Sequence, residues 1–191
     1  MKFSQDWFSH NIPNFEFCIK ALQSKQDFLE IGCFEGRASV WMLQNGLDPD
    51  GRLVCIDTFQ GSEEHEKMGL DLGDLFRTFF ENVNEAKSWN QKVRAIQSKS
   101  YDGLATLIAE KEQFDFIYVD GSHTAPDVMT DACMAFGLLK KGGIMLFDDY
   151  LWGDVPGVLH RPKLAIDLFV TLFSEQSQLF MLGYQLAIRK I

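Results

Sequence analysis

The 191-residue chain has no apolar run long enough to span a bilayer, so no membrane partner is expected. Cysteine is sparse. Cys18, Cys33, Cys55 and Cys133 are scattered without CxxC spacing, which argues against a zinc site or a disulfide framework and for reduced thiols in a cytoplasmic protein. The 5 prolines and 15 glycines never gather into a linker, so one domain over residues 1–191 is expected, with 1–25 as an N-terminal helical cap. The opening residues (MKFSQDWFSHNIPNF) hold neither a basic n-region nor an apolar h-region, and no secretory signal is read there. Positive charge is also short, with 18 Lys and Arg against 27 Asp and Glu and a formal net charge of −9. Phosphate binding requires a cationic surface, so a nucleic-acid partner is excluded as the main one. A soluble protein acting on small molecules is the expectation, with homo-oligomerisation left open.

What is present centres on two stretches, 114–123 (FDFIYVDGSH) and 142–150 (GGIMLFDDY). Each is an apolar run of strand length that ends in carboxylates, the form of a buried parallel strand delivering acids to one edge of a sheet. Neighbouring strands lie about 4.8 Å apart. If these two are neighbours, Asp120 is within reach of Asp148 and Asp149. Three carboxylates that close repel unless a cation sits among them, and a hard divalent ion such as Mg²⁺ suits an all-oxygen site. Because side chains alternate along a strand, Asp148 and Asp149 share one ion only if the backbone leaves β geometry just after Phe147. A turn is predicted there.

The rest of the chain falls into strand–helix repeats. The first 25 residues read as one or two short helices broken near Pro13, their aromatics covering the sheet edge, with part of 8–11 lining a ligand pocket as the other reading. A strand at Asp27–Ile31 leads into GCFEGRAS, where Gly32 and Gly36 bracket a turn into a helix that stops at Asn45 and Gly46. A dinucleotide fingerprint reads GxGxxG; this turn reads GxxxG with Glu30 just before it, which points to a cofactor without a pyrophosphate. Glu30, Gly32 and Gly36 are its candidate cradle. A second strand, Arg52–Asp57, ends in an acid placed to accept from the hydroxyls of a ribose; capping of the following segment is the other reading of Asp57. Residues 60–73 read as a loop over the pocket mouth, with His65 solvated. Helices are expected at 75–87, from Ser100 onward, at 125–140 and from Pro162; strands at 92–96 and in the two acidic stretches; and a hairpin at the end, turning at Gly183 and Tyr184. Ser100 or Asp102 is the expected N-cap of its helix, against cofactor contact by Ser100 and Tyr101. Five β–α repeats and a terminal hairpin describe an α/β protein with an open, mostly parallel sheet and helices on both faces.

LEIGCFEG, VCID, VDGSH and FDDY, in this order and spacing, resemble the class I S-adenosylmethionine-dependent methyltransferases. Within these the chain looks like the divalent-metal-dependent O-methyltransferases of the catechol and macrocin types, over about 27–150. The resemblance implies a Rossmann-like fold with a seven-stranded sheet. It places Gly32 and Phe34 at the methionine side of S-adenosyl-L-methionine, Asp57 at its ribose, and Ser100 and Tyr101 beside its adenine. Asp120, Asp148 and Asp149 fall on the family's metal ligands. The catechol-type enzymes carry a lysine base three residues after the first ligand, and His123 stands there instead.

Methyl transfer from a sulfonium to an alcohol is an in-line displacement, so the acceptor oxygen must be made nucleophilic and held behind the methyl group. A metal lowers the hydroxyl pKa, and a neutral imidazole accepts a proton near pH 7. The expected function is therefore O-methylation of a small-molecule hydroxyl, with Asp120 and His123 as the catalytic groups. His123 reads as the base, as a ligand beside the metal, or as a structural cap. The competing readings are a nicotinamide-dependent oxidoreductase, which would need the missing pyrophosphate glycines, and a catalytically silent S-adenosylmethionine-binding module.

Overall fold

The computed structural model describes residues 1–61, 65, 69, 72–153 and 156–191. Four apolar strands, β1 (Asp27–Ile31), β2 (Arg52–Asp57), β4 (Phe114–Val119) and β5 (Leu139–Phe147), form the middle of the sheet. With β3 (Lys92–Gln97), β6 (Ser177–Leu182) and β7 (Leu186–Lys190) the order is β3-β2-β1-β4-β5-β7-β6. β1 to β5 pair in parallel, and the closing hairpin joins antiparallel to β5 through β7. The two acidic stretches are neighbours, as expected, with Val119 opposite Phe147.

Alternation along the strands splits the core in two. Leu29, Ile31, Ile117, Val119, Met145 and Phe147 face α4 (Ser100–Ala109), α5 (Ala125–Leu138) and α6 (Pro162–Leu172). Phe28, Cys55, Phe116, Tyr118 and Leu146 face α1 (Ile12–Lys20), α2 (Arg37–Trp41) and α3 (Leu75–Ala86). Helix α2 runs on as a π-helical turn over Met42–Gly46, ending where the sequence placed the stop. Phe28, Phe116 and Phe147 are fully buried, and each such side chain contributes about 1.5–3 kcal/mol by leaving water.

Several expectations are corrected. Pro13 does not break the N-terminal segment: it sits in the first turn of α1, where its missing N–H costs nothing, after a short 3₁₀ turn at Ser9–Asn11. The aromatics of this segment cover a face of the sheet rather than its edge, with the Phe15 ring 4.7 Å from Tyr118 and 5.7 Å from Phe116. Neither Ser100 nor Asp102 caps α4; Lys99 is the N-cap and no side chain closes that end. His65 is not merely solvated, since its ring stacks on Trp7 at 5.3 Å and meets Phe34 at 4.7 Å. The rest of the loop reading for 60–73 lies largely outside the described residues.

Candidate active site

The strand order reverses between β1 and β4, and open α/β sheets bind ligands in the crevice outside such a point. Gly32 starts the turn there with φ 82°. A Cβ at this position would stand 1.9 Å from the Asp120 carbonyl oxygen, so only glycine lets the β1 and β4 ends meet. Phe34 follows at φ 49°, and Gly36, at φ 82°, opens α2. Asp57 braces the turn: its Oδ2 accepts from the backbone N–H groups of Cys33 at 2.6 Å and Phe34 at 2.9 Å, and its Oδ1 from that of Phe59 at 2.7 Å.

Glu30 lies beneath this turn. It is 1% exposed, accepts from the Ser39 hydroxyl and, at 3.7 Å, from the Cys55 thiol, and burial pushes its pKa up to about 8. Ser100 lies in the first turn of α4, and Asp131 on α5 is buried, which raises its carboxyl pKa to about 6. Tyr101 is 47% exposed on the rim.

The strand-end carboxylates gather as expected, but not as one symmetric trio. β5 stops at Phe147 and Asp149 takes φ 53°, so the chain leaves β geometry where the alternation argument requires. Asp149 Oδ2 lies 2.9 Å from His123 Nε2, and its Oδ1 accepts from the Tyr184 hydroxyl at 3.0 Å. Asp120, His123 and Asp149 each offer a ligand atom, all within 4.8 Å of one another. Asp148 is instead engaged by Tyr118, Asn11 and Gln185. Burial and the charges of Asp148 and Asp149 push the Asp120 carboxyl well above the usual range; burial and Asp149 raise Asp148 as well.

The donors fit a divalent cation. A partly open cavity of about 10 Å³, room for one water-sized sphere, is lined by Asp120, His123, Asp148 and Asp149 together with Val128, Phe147 and Ile166. Carboxylates and an imidazole around a space of that size are the ligand types that hold such ions.

Sequence reasoning missed Tyr118, Asn11, Tyr184 and Gln185. Tyr118 had a signal, since it lies two residues before Asp120 and therefore on the same side of the strand. Asn11 fell within the segment read as lining a pocket, while Tyr184 and Gln185 arrive from the closing hairpin, whose turn carries no signature of a site. Trp152 has its ring 4.6 Å from that of His123.

Parallel strands ending in a glycine turn, an acid at the second strand tip and an acidic crevice at the switch point define a class I S-adenosylmethionine-dependent methyltransferase fold. Residues 29–150 match the family described as a methyltransferase domain, and the chain belongs to that family. It is 31% identical over 162 residues to the tapetum-specific methyltransferase 1 of Arabidopsis thaliana, covering 78% of this chain and 60% of that protein. The chain thus spans less than two thirds of this relative. Among solved structures, an O-methyltransferase from Bacillus cereus in complex with SAH superposes with a TM-score of 0.67 at 22% identity, over 98% of this chain and 84% of that one. The O-methyltransferase NovP gives 0.69 at 18% identity, over 94% and 79%.

Proposed function

We propose that this protein transfers the methyl group of S-adenosylmethionine to a hydroxyl of a small molecule, with a divalent cation such as Mg²⁺ at the acidic strand ends. The observation that carries this reading is the meeting of Asp120, His123 and Asp149 within 4.8 Å of one another, on the β4 end that packs against the Gly32 turn. Bound S-adenosylmethionine supplies an electrophilic methyl, and the cation supplies the Lewis acidity that makes a hydroxyl a better nucleophile.

The chain's own residues supply binding and orientation. The Gly32 turn, braced by Asp57 on the Cys33 and Phe34 N–H groups, cradles the methionine part of the donor. Ser100 and Tyr101 flank the adenine end. Trp152 packs beside His123 and walls the acceptor side. S-adenosylmethionine held there would pass its methyl to the acceptor oxygen, keeping the S–C electron pair as S-adenosylhomocysteine, and the hydroxyl proton would go to solvent.

Two features disfavour the rivals. The GxxxG turn lacks the glycine pattern that cradles a pyrophosphate, and a silent binding module has no use for an ion-sized cavity walled by three carboxylates. The test is calorimetry with S-adenosylmethionine and with NAD, followed by a screen of sugar, phenol and other hydroxyl acceptors read by formation of S-adenosylhomocysteine. Binding of S-adenosylmethionine, and turnover that EDTA abolishes, are the expected results. NAD binding without S-adenosylmethionine binding would overturn the reading, and turnover undiminished by EDTA would remove the cation from it.

A further inference from the structure

Both oxygens of Asp148 are already occupied by protein donors. Oδ1 accepts from the Gln185 side-chain amide at 3.1 Å and from the Asp149 backbone N–H at 2.8 Å; Oδ2 accepts from the Asn11 amide at 3.0 Å and from the Tyr118 hydroxyl. A carboxylate has about four lone-pair positions, so this one has none left over for an ion. Its donors come from the start of α1, from β4 and from the closing hairpin, and together they fix its orientation.

Asp149 differs because of its backbone. The left-handed conformation at φ 53° swings its side chain toward the turn after β4, where Oδ2 meets His123 Nε2 at 2.9 Å. Two ligands at about 2.1 Å from one ion sit roughly 3 Å apart when they are adjacent in its coordination shell. The His123 and Asp149 atoms already have that spacing. Asp120 Oδ2 lies 2.9 Å from the Tyr118 hydroxyl, whose one proton is directed to Asp148, and the structure shows no protein donor on the other oxygen of Asp120 among the described residues. Trp152, packed on the His123 ring, holds the imidazole plane.

We propose that the cation is held by Asp120, His123 and Asp149, that Asp148 is a positioning residue not bound to the ion, and that the imidazole turns the site toward transition ions such as Mn²⁺ over Mg²⁺. This rests on the methyltransferase reading and departs from the ligand trio that the family resemblance implies. Carboxylates suit Mg²⁺ and Mn²⁺ alike, and an imidazole among them adds a donor that first-row transition ions accept more readily than Mg²⁺ does. An imidazole whose lone pair is on the ion does not take the acceptor's proton, so the ligand and base roles of His123 exclude each other. Asp148 acts through its neighbours: it ties the Tyr118 hydroxyl, and thereby Asp120, to Asn11 at the head of α1.

The experiment is pulsed electron paramagnetic resonance on the full chain loaded with Mn²⁺ and S-adenosylhomocysteine, with calorimetry of S-adenosylhomocysteine on the same samples. The expected spectrum shows nitrogen coupling from a directly bound imidazole, which shifts on ¹⁵N-histidine labelling and is lost in His123→Gln. About a hundredfold excess of Mg²⁺ should leave most of the Mn²⁺ in place. Asp148→Asn should keep the nitrogen signal and weaken Mn²⁺ by about 10- to 100-fold, the scale of a partner that orients ligands. Asn11→Ala, which leaves every carboxylate intact, should weaken it to a similar extent, and the double variant should be no worse than either single one. Mn²⁺ bound without nitrogen coupling would overturn the assignment. So would loss of Mn²⁺ in Asp148→Asn while Asn11→Ala binds as tightly as the parent, because a freed Asp148 would then be acting as a ligand. Absence of S-adenosylhomocysteine binding would remove the underlying methyltransferase reading as well, a failure that calorimetry separates from the others.

Discussion

The Tyr118 hydroxyl stands 2.9 Å from the Asp120 carboxylate and donates to Asp148 on the adjoining strand, joining the two acidic strand ends through one buried phenol. Tyr118 is 1% exposed, and burial between two carboxylates pushes its own pKa well above the usual phenol range. The phenol therefore keeps its proton, and stays a donor, through the neutral range.

Tyr118→Phe should therefore expose the repulsion that the phenol relieves. Leaving buried acceptors without their donor costs about 1–3 kcal/mol. Urea unfolding in chelator should show a loss of that order, and adding Mn²⁺ should narrow it, because a cation compensates the same charges. Equal stability of parent and variant in chelator would mean that the hydroxyl contributes nothing there.

A pair of glycines separates backbone strain from steric closure. Gly32 and Gly142 both have φ 82°, but a Cβ at Gly142 meets nothing within 4 Å, whereas at Gly32 it would lie 1.9 Å from the Asp120 carbonyl oxygen. Gly142→Ala should cost only the left-handed penalty of about 1–2 kcal/mol and leave S-adenosylhomocysteine binding unchanged. Gly32→Ala should abolish that binding and lower the thermal midpoint far more. If calorimetry and melting show the two variants alike, the close approach at Gly32 is not what the turn requires.

Most of the fold was legible because buried parallel strands write themselves as continuous apolar runs bounded by acids and glycines. The bounds of β1 and β2 were read without error, while the turn after Phe147 was expected on the premise that Asp148 and Asp149 face one ion together; the turn is there, but Asp148 is held by protein donors instead. What could not be read was which donors reach each carboxylate. Asn11 and Gln185 lie 137 and 37 residues from Asp148 in the chain, and nothing local marks either as its partner. His65 looked solvated because its ring partners, Trp7 and Phe34, come from elsewhere in the sequence. Pro13 was misread as a break since proline starts helices as readily as it ends them, and only the position of the first hydrogen-bonded turn decides.

Glu30 should set part of the pH dependence of stability. Burial raises its pKa from an ordinary value near 4.5 to about 8, so the folded chain keeps a proton that the unfolded chain releases. Stability from this group is fully present below pH 4.5 and falls as pH rises toward 8, by an amount on the order of a few kcal/mol. Asp120, Asp131 and Asp148 are shifted in the same direction, so the parent curve alone does not isolate it. The difference between parent and Glu30→Gln does, because the amide stays neutral in both states. Urea unfolding across pH 5 to 9 should show the variant gaining on the parent with rising pH and levelling off above about 8. A constant difference over that range would mean that Glu30 titrates in the folded protein as it does in water, and the burial beneath the Gly32 turn would then have to be relaxed by solvent entering between Ser39 and Cys55.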